Sequence, residues 1–274
     1  MPRAPVICIP HGGGPLPLMK HPSHAEMVKS WTTKARKILQ LGTRDAPRAI
    51  IVVTAHFSEK EPTISSAEKH SLYYDYYGFP ESTYSIKYDA PGSSLVAQTI
   101  ARVFRDAGFS PVLDDQRGWD HGVFIPLKLI APEAEVPVIQ LSVLASESIS
   151  DHFRIGKALR ALRDQNVAIL GSGFASFHNN SLLAGQGFDL AFLKEKNDEW
   201  SKAVTDATQE TDVEVREEKF RGWRNWPHAD LMHPPYGGEH FMPLVVCAGA
   251  GGEGKASTYT DDFLGLDIYT YYWE

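Results

Sequence analysis

Five of the eleven histidines in this 274-residue chain occupy positions from which an imidazole could bind a metal ion or transfer a proton. They are His11, His56, His121, His178 and His240. Neutral imidazole binds zinc, iron, copper and nickel, and histidine-rich ligand sets leave coordination positions open for a substrate. Histidine is also the general acid or base whose unperturbed pKa lies nearest to neutral pH. This pattern predicts a metal site with further histidines available for proton transfer.

Two of these histidines stand at the ends of apolar runs. His11 directly follows residues 6–10, and His56 lies two residues beyond the run 50–54. Apolar runs without polar alternation are typical of strands that are buried on both faces of a parallel sheet. The carboxyl ends of such strands meet at one edge, where open α/β sheets bind their ligands. We therefore expect His11 and His56 to converge at that edge.

The other three histidines stand in related positions. His178 follows a predicted strand over residues 167–170, His121 lies in a glycine-bracketed loop, and His240 begins a predicted buried helix. Glu239 and His240 compete to be the third metal ligand. Adjacent helical residues diverge by about 100°, so only one of the two can face the metal. Amphipathic phase does not decide between them, because residues 241–250 are apolar nearly all round.

The remaining elements define the fold class. Strands are also predicted over residues 136–143, 257–260 and 268–273. Helices are predicted over residues 24–39, 93–107, 123–130, 149–163 and 190–208, and the charged run 214–221 as a solvated helical face. Alternating strands and helices imply parallel pairing with right-handed crossovers. We predict an α/β fold with a mixed, mostly parallel central sheet, helices on both faces, and a single domain over residues 1–274.

Residues 58–92 form a long connection without clear periodicity, and they are rich in aromatic side chains. These include Tyr73, Tyr74, Tyr76, Phe79, Tyr84 and Tyr88. A connection of this length inside a compact domain is usually functional. We predict that it forms a lid or wall over the cleft.

The remaining six histidines stand in polar or helical surface contexts, and we predict no special role for them. They are His21, His24, His70, His152, His228 and His233. For a single histidine at a strand end, a hydrogen-bonded core residue is an equally good interpretation. The expected convergence of several histidines is what favours a functional site.

Composition narrows the class of protein. The net charge of −7 includes no basic block, which argues against nucleic acid as the main partner. Cys8 and Cys247 lie inside apolar runs, which predicts reduced, buried thiols. The N-terminus carries no charged leader with an apolar core, and no run approaches the roughly 20 apolar residues that span a bilayer. These features predict a cytoplasmic protein without a membrane partner.

The combination of motifs resembles the class III extradiol ring-cleavage dioxygenases of the LigB superfamily, most closely the branch that includes the 4,5-DOPA extradiol dioxygenases. Each motif is weak alone, but together they follow the family's order over nearly the whole chain. The matching stretches are His11-Gly12, Thr54-Ala55-His56-Phe57, Gly78-Phe79-Pro80, Tyr88-Asp89-Ala90-Pro91-Gly92, Gly118-Trp119-Asp120-His121-Gly122, Pro137 to Ser142, His178-Asn179, Glu239-His240 and Pro243-Leu244.

The resemblance implies a non-haem Fe(II) enzyme that chelates a small catecholic substrate through its two hydroxyl oxygens and cleaves the ring beside the diol with O₂. Members of this branch also hold Zn(II). The resemblance implies His11, His56 and His240 as metal ligands, with His240 preferred to Glu239. It further implies His178 as the acid/base of ring cleavage and a candidate ligand of resting zinc. His121 matches a histidine near the substrate oxygens.

Two departures from the family pattern leave the preferred catechol open. Relatives commonly read His-Gly-Ser-Pro where this chain has two further glycines, Gly13 and Gly14, before Pro15. A histidine often found before Asp75 is Tyr74 here. Two other functions are alternatives to ring cleavage. A catalytically inactive, metal-binding interaction protein on the same scaffold would have a filled cleft, and a zinc hydrolase would need zinc-bound water beside a base.

Overall fold

The computed structural model describes residues 3–179, 181–182 and 189–274, and within these ranges eight strands form one sheet. The strands are β1 Val6–Pro10, β2 Ala49–Glu59, β3 Thr63–Ser65, β4 Val112–Asp114, β5 Val138–Leu144, β6 Val167–Gly173, β7 Ser257–Phe263 and β8 Leu266–Trp273. Their order across the sheet is β4-β3-β5-β2-β6-β1-β8-β7. Strands β5, β2, β6 and β1 are parallel, whereas β8 is antiparallel to both of its neighbours. The predicted α/β class with a mixed, mostly parallel sheet is confirmed.

Helices cover both faces of the sheet. They are α1 Ala25–Ser30, α2 Arg36–Ile38, α3 Ser94–Asp106, α4 His121–Ile130, α5 Ile149–Arg163, α6 Leu190–Thr208, α7 Val213–Arg221, α8 Ala229–Met232 and α9 Met242–Gly251. Helix α1 continues through a π-helical turn, Trp31–Ala35, into α2, so the helix predicted over 24–39 is continuous but not uniform. None of the helices in the described ranges is both long and apolar enough to cross a bilayer.

The central strands are apolar throughout because each one packs against a helical layer on both faces. In β1, Val6 and Cys8 belong to one apolar core, whereas Ile7 and Ile9 belong to the other. The first core includes side chains of α3, α5, α6 and α9, and the second includes side chains of α1 and α4. Cys8 and Cys247 are free and buried, as predicted.

Several element boundaries differ from the prediction where local patterning is weak. The connection 58–92 contains β3 and a 3₁₀ turn, Glu81–Ser85, so it is not wholly irregular. Strand β4 escapes prediction because it has only three residues and is largely exposed. Three site histidines are also displaced relative to their elements. His56 lies inside β2, His121 is the first residue of α4 instead of a loop residue, and His240 precedes α9 by two residues.

The charged run 214–221 forms helix α7, but the prediction of a solvated face is wrong at its centre, where Arg216 is fully buried. Its guanidinium donates to the carbonyls of Glu210, Ala248, Gly252 and Gly254. A second buried arginine, Arg163, donates to the carbonyls of Ala250 and Gly251. The two cations cap the C-terminal end of α9, where the helix dipole favours positive charge.

Parallel pairing brings the carboxyl ends of β1, β2 and β6 to one edge of the sheet. Pro10 pairs with Gly173 and Thr54 with Ser172, so β1 and the parallel part of β2 end level with β6. The loop before α9 crosses this edge closely, because a Cβ atom at Gly173 would collide with the carbonyl of His240. The sheet and α9 therefore direct residues from distant parts of the sequence to the same place.

Candidate metal centre

The structure brings His11, His56 and His240 together at the carboxyl edge of the sheet. Nε2 of His56 lies 3.1 Å from Nε2 of His11 and 3.4 Å from Nε2 of His240. The three residues form a group whose ligand atoms all lie within 4.8 Å of one another. His11 and His240 are buried, whereas the side chain of His56 is 23% exposed, so the group is reached from solvent on the His56 side.

The spacing of these nitrogens fits a divalent metal ion. Metal–imidazole bonds of about 2.0–2.1 Å, at angles between about 90° and 110°, place two ligand nitrogens about 2.8–3.4 Å apart. The two separations measured from His56, 3.1 and 3.4 Å, fall in that range. Three protein ligands leave further coordination positions for substrate. The residues present therefore suit a catalytic metal.

A serine on β6 orients His11. Nδ1 of His11 lies 3.2 Å from Oγ of Ser172, and that hydroxyl donates to the carbonyl of Gly122. Because the serine proton is already directed to Gly122, Nδ1 of His11 is the donor, and the lone pair of Nε2 is free for a metal. Gly122 has to be a glycine, since a Cβ atom there would lie 2.7 Å from Oγ1 of Thr54 and 3.1 Å from Oγ of Ser172.

Two carboxylates stand beside the other two rings. Nδ1 of His240 lies 2.7 Å from Oε1 of Glu239, and Nδ1 of His56 lies 3.4 Å from Oδ2 of Asp75. An acceptor on Nδ1 fixes the tautomer, orients the ring and makes Nε2 a better ligand. Each of the three rings therefore has a partner at Nδ1, which leaves Nε2 for a metal ion.

Burial keeps these imidazoles neutral. Burial holds the pKa values of His11 and His240 well below the usual value, and neighbouring histidines add to the effect. Burial, helped by the neighbouring His121, lowers the pKa of His56 to about 3. Neutral imidazole is the form that binds metal, so no proton has to be displaced near neutral pH.

The contacts of Glu239 and His240 differ, and this difference bears on which of them is the third metal ligand. Nε2 of His240 faces His56, whereas Glu239 accepts from Nδ1 of His240. Glu239 and His240 lie in a turn before α9, so the divergence of about 100° expected for adjacent helical residues does not apply to them. Burial raises the pKa of the Glu239 carboxyl. This geometry favours His240 as a ligand and Glu239 as the group that orients it.

His178 lies against His240. Its ring stacks on the ring of His240, with centroids 3.4 Å apart and 13° between the planes. Its backbone N–H donates to the carbonyl of Met232 at 2.9 Å, which ties down the chain after β6. Burial lowers the pKa of His178 to about 4. His178, Glu239 and His240 form a second group of potential metal ligands. A neutral imidazole in this position can accept a proton beside the metal.

His121 and Asp75 form the opposite side of the site. The ring of His121 lies 4.0 Å from that of His56, centroid to centroid. Nδ1 and the backbone N–H of His121 both donate to Oδ1 of Asp75, at 2.8 and 2.9 Å. Burial alone would raise the pKa of Asp75, but hydrogen bonds from His121 and the nearby histidines lower it below its usual value. Asp75 belongs to no motif predicted to be functional and was missed.

The aromatic segment forms the predicted wall beside His121. The rings of Tyr76 and His121 lie 6.0 Å apart, centroid to centroid. The hydroxyl of Tyr76 donates to the carbonyl of Thr83, and that of Tyr74 donates to the carbonyl of Ile86, both at 2.7 Å. These two hydrogen bonds hold the aromatic segment together. Tyr74 therefore directs its polar group to the backbone of its own segment.

The glycine loop after His11 is held by a residue that was predicted to have no role. The backbone N–H of Gly13 donates to Nε2 of His24 at 2.9 Å. His24 is only 1% exposed, so the prediction of a surface context is wrong. On the other side of the loop, Gly14 adopts φ +54° and packs against Phe79 of the aromatic wall. No local pattern marks His24, because its role depends on a contact with a loop that precedes it.

The other five histidines divide into two kinds. His21, His70 and His228 are exposed or partly exposed, as predicted, whereas His152 and His233 are fully buried, so the surface prediction is wrong for these two. Nε2 of His152 accepts from the backbone N–H of Leu144 at 2.9 Å. His233 packs among aromatic rings that include Trp200 and Phe241. None of the five belongs to the potential ligand groups described above.

A cavity of about 400 Å³ adjoins the loop that precedes α9. It is lined by Ala145, Ser146, Glu147, Arg224, Pro235 and Tyr236. The backbone N–H of Gly238 donates to Oε1 of Glu147 at 3.0 Å, which joins the cavity wall to the segment that carries His240. A larger cavity of about 560 Å³ is lined by residues of the helical segment 34–40, of β7 and of the end of β8. Both cavities have the size of a small-molecule site, and neither is lined by any of the five site histidines.

Comparisons with known proteins agree with this geometry. Residues 5–265 match the family described as the catalytic LigB subunit of aromatic ring-opening dioxygenase. The chain is 51% identical to dioxygenase tasH of Hapsidospora irregularis over 280 residues, which cover 98% of this chain and 85% of that protein. It is 38% identical to a 4,5-DOPA dioxygenase extradiol of Beta vulgaris over 210 residues, which cover 76% of this chain and 74% of that protein.

A solved structure shows the same fold. The crystal structure of an uncharacterised protein from Escherichia coli K12 matches with a TM-score of 0.71 at 24% identity, covering 99% of this chain and 100% of the other. The family match includes all five histidines of the site, and the relatives are named as enzymes, so an inactive binding protein is not favoured. The resemblance seen in the motifs is confirmed, and the chain belongs to the LigB family of aromatic ring-opening dioxygenases.

Proposed function

We propose that this enzyme is a non-haem, Fe(II)-dependent extradiol dioxygenase that cleaves the ring of a small catechol with O₂, and that residues 1–274 form one catalytic domain. The observation that carries the proposal is the convergence of three neutral imidazoles whose potential ligand nitrogens lie within 4.8 Å of one another. Family membership supports ring opening, and the relatives named 4,5-DOPA dioxygenase extradiol support a catecholic substrate and the extradiol position.

His11, His56 and His240 are the proposed ligands. Because all three are uncharged, they leave the full charge of a divalent cation to attract an anionic catecholate. Held by these three histidines, Fe(II) would supply a Lewis acid that lowers the pKa of a catechol hydroxyl and a redox-active centre for the reaction with O₂. Zinc suits the same nitrogens, so we propose Zn(II) as an alternative occupant, with His178 as a candidate additional ligand.

The protein's own residues move the protons and hold the ring. His178 is neutral, because burial lowers its pKa to about 4, so a ring nitrogen can accept the proton that a catechol hydroxyl loses. The same nitrogen can return the proton as the ring opens. His121 donates Nδ1–H to Asp75, which leaves Nε2 free to accept a hydrogen bond from the substrate. Tyr76 and Phe79 offer flat surfaces for a planar ring.

Two further features support the setting that we propose. The buried, free cysteines suit a reducing compartment, so the proposed location is the cytoplasm. The net charge of −7 without a basic block suits a small diffusible substrate better than a nucleic acid. We therefore propose a catechol and O₂ as the partners of the reaction, with neither nucleic acid nor membrane taking part.

The test is O₂ uptake by protein that has been loaded with Fe(II) under anaerobic conditions. DOPA, caffeate and protocatechuate are mixed with the loaded enzyme, and O₂ consumption is followed together with the absorbance of a yellow ring-fission product. We expect both signals with iron, and neither signal with His11→Ala protein treated identically. A full complement of iron without O₂ uptake on any catechol would contradict the proposal. Activity that needs zinc and no O₂ would indicate a hydrolase instead.

A further inference from the structure

We propose that Asp75 is a positioning residue that couples the metal ligand His56 to the substrate-side histidine His121. The catalytic half of this inference rests on the proposed function, whereas the metal-binding half rests on contacts alone. The Asp75 side chain is 12% exposed and lies against both rings.

Each oxygen of the carboxylate serves a different histidine. Oδ1 accepts two hydrogen bonds from His121, one from Nδ1 at 2.8 Å and one from the backbone N–H at 2.9 Å. Oδ2 lies 3.4 Å from Nδ1 of His56. The two rings lie only 4.0 Å apart, centroid to centroid. A displacement of Asp75 would therefore change the positions of both His56 and His121.

The segment that carries Asp75 is fixed to the start of α4. The backbone N–H of Tyr73 donates to the carbonyl of Trp119 at 2.7 Å, and Leu72 forms a parallel bridge with Trp119. The carboxylate lies at the N-terminal end of the ten-residue helix α4, where the helix dipole favours a negative charge. The backbone contacts thus fix the position of Asp75, and Asp75 in turn orients the rings of His56 and His121.

An ionised carboxylate can only accept hydrogen bonds, and this property selects the tautomer of both rings. With Asp75 on the Nδ1 side, each ring carries its proton on Nδ1. Nε2 of His56 is then a lone pair directed to the metal position, and Nε2 of His121 is a lone pair available to substrate. In the close group of His56, Asp75 and His121, the carboxylate accepts from His121 and lies 3.4 Å from Nδ1 of His56, and we assign this arrangement to ligand positioning and not to a second metal site.

Asp75→Asn tests this assignment because an amide presents an N–H group to one of the two rings and favours the wrong tautomer there. Asp89→Asn is the matched control, since Asp89 lies in the same aromatic segment and is exposed. The readout is Zn(II) affinity of the metal-free protein, measured by competition with a chelator. We expect Asp75→Asn to bind zinc about 10–100-fold more weakly than the wild type, and Asp89→Asn to be unchanged.

The coupling to His121 is tested by a double-mutant cycle. At saturating iron we expect Asp75→Asn to lower kcat in the wild-type background but to have little further effect in His121→Ala protein. The loss of zinc affinity should persist in both backgrounds, because it acts through His56. Additive effects on kcat would overturn the coupling to His121, and unchanged zinc affinity would overturn the role at His56.

Two measurements on the wild-type protein test the role of Asp75 directly. Heteronuclear NMR of the imidazole nitrogens in metal-free wild-type protein should show His56 and His121 as Nδ1–H tautomers, and Nε2–H in either ring would contradict the assignment. Metal analysis should give one zinc ion per chain, since two would identify the triad as a second site. Neither readout involves a catechol. A failure to cleave any catechol would therefore refute the proposed function while leaving these results standing.

Discussion

The imidazole rings of His178 and His240 stack with their centroids 3.4 Å apart and 13° between their planes. His178 follows β6 and His240 precedes α9, so the stack joins two segments that meet at the carboxyl edge of the sheet. Glu239 already holds Nδ1 of His240, and the stacked ring restrains the tilt that remains. His178 therefore has two separable proposed roles, since its ring stacks on the proposed ligand His240 and its nitrogen is the proposed proton acceptor.

Replacing His178 by phenylalanine should separate these roles. Phenylalanine keeps a flat ring against His240 but has no nitrogen, so we expect turnover to fall by about 10²–10⁴, the contribution of a general acid or base. His178→Ala should lower turnover by a similar factor and should also weaken metal binding, because the support of His240 is lost. Steady-state O₂ uptake at saturating iron and chelator competition measure the two effects. Wild-type turnover in His178→Phe would remove His178 from the mechanism, and a selective loss of zinc affinity there would identify it as a zinc ligand.

A second pair of variants decides the third ligand. Glu239→Gln keeps an oxygen that can accept from Nδ1 of His240, so we expect metal affinity to fall by no more than about 10–100-fold. His240→Ala removes one of the three proposed metal bonds and should cause a larger loss. Zinc content after dialysis and chelator competition measure both variants under the same conditions. The reverse order, with Glu239→Gln the weaker binder, would make the carboxylate the ligand.

Elements with strong patterning were predictable from the sequence. The bounds predicted for β1, α5 and α6 are those that the structure shows, because each combines a clear apolar pattern with a cap or a glycine at its end. Strands β3 and β4 have three residues each, which is too short for a period to register. The burial of Arg216 was equally hidden, because a run of charged residues is usually solvated, and the four carbonyls that satisfy its guanidinium come from other parts of the chain.

The convergence of the proposed ligands was predictable from the sequence, whereas the residues that hold them in place were not. His11 and His56 are marked by their position at strand ends, which a parallel sheet must bring to one edge. Ser172, Asp75 and His24 carry no such mark. They act through hydrogen bonds across 161, 46 and 11 positions of sequence, and only the folded chain reveals which donor meets which acceptor.

The cap formed by Arg216 gives a prediction for stability. Arg216→Met leaves the carbonyls at the end of α9 buried without their donor, and we expect the free energy of unfolding to fall by about 3–5 kcal/mol. Lys219→Met is the matched control on the same helix, because Lys219 is exposed and its ion pair with Glu210 contributes less than about 1 kcal/mol. Urea unfolding followed by circular dichroism, at one pH and one metal content, compares the two. Equal losses for Arg216→Met and Lys219→Met would show that the buried guanidinium does not stabilise the end of the helix that begins beside the metal centre.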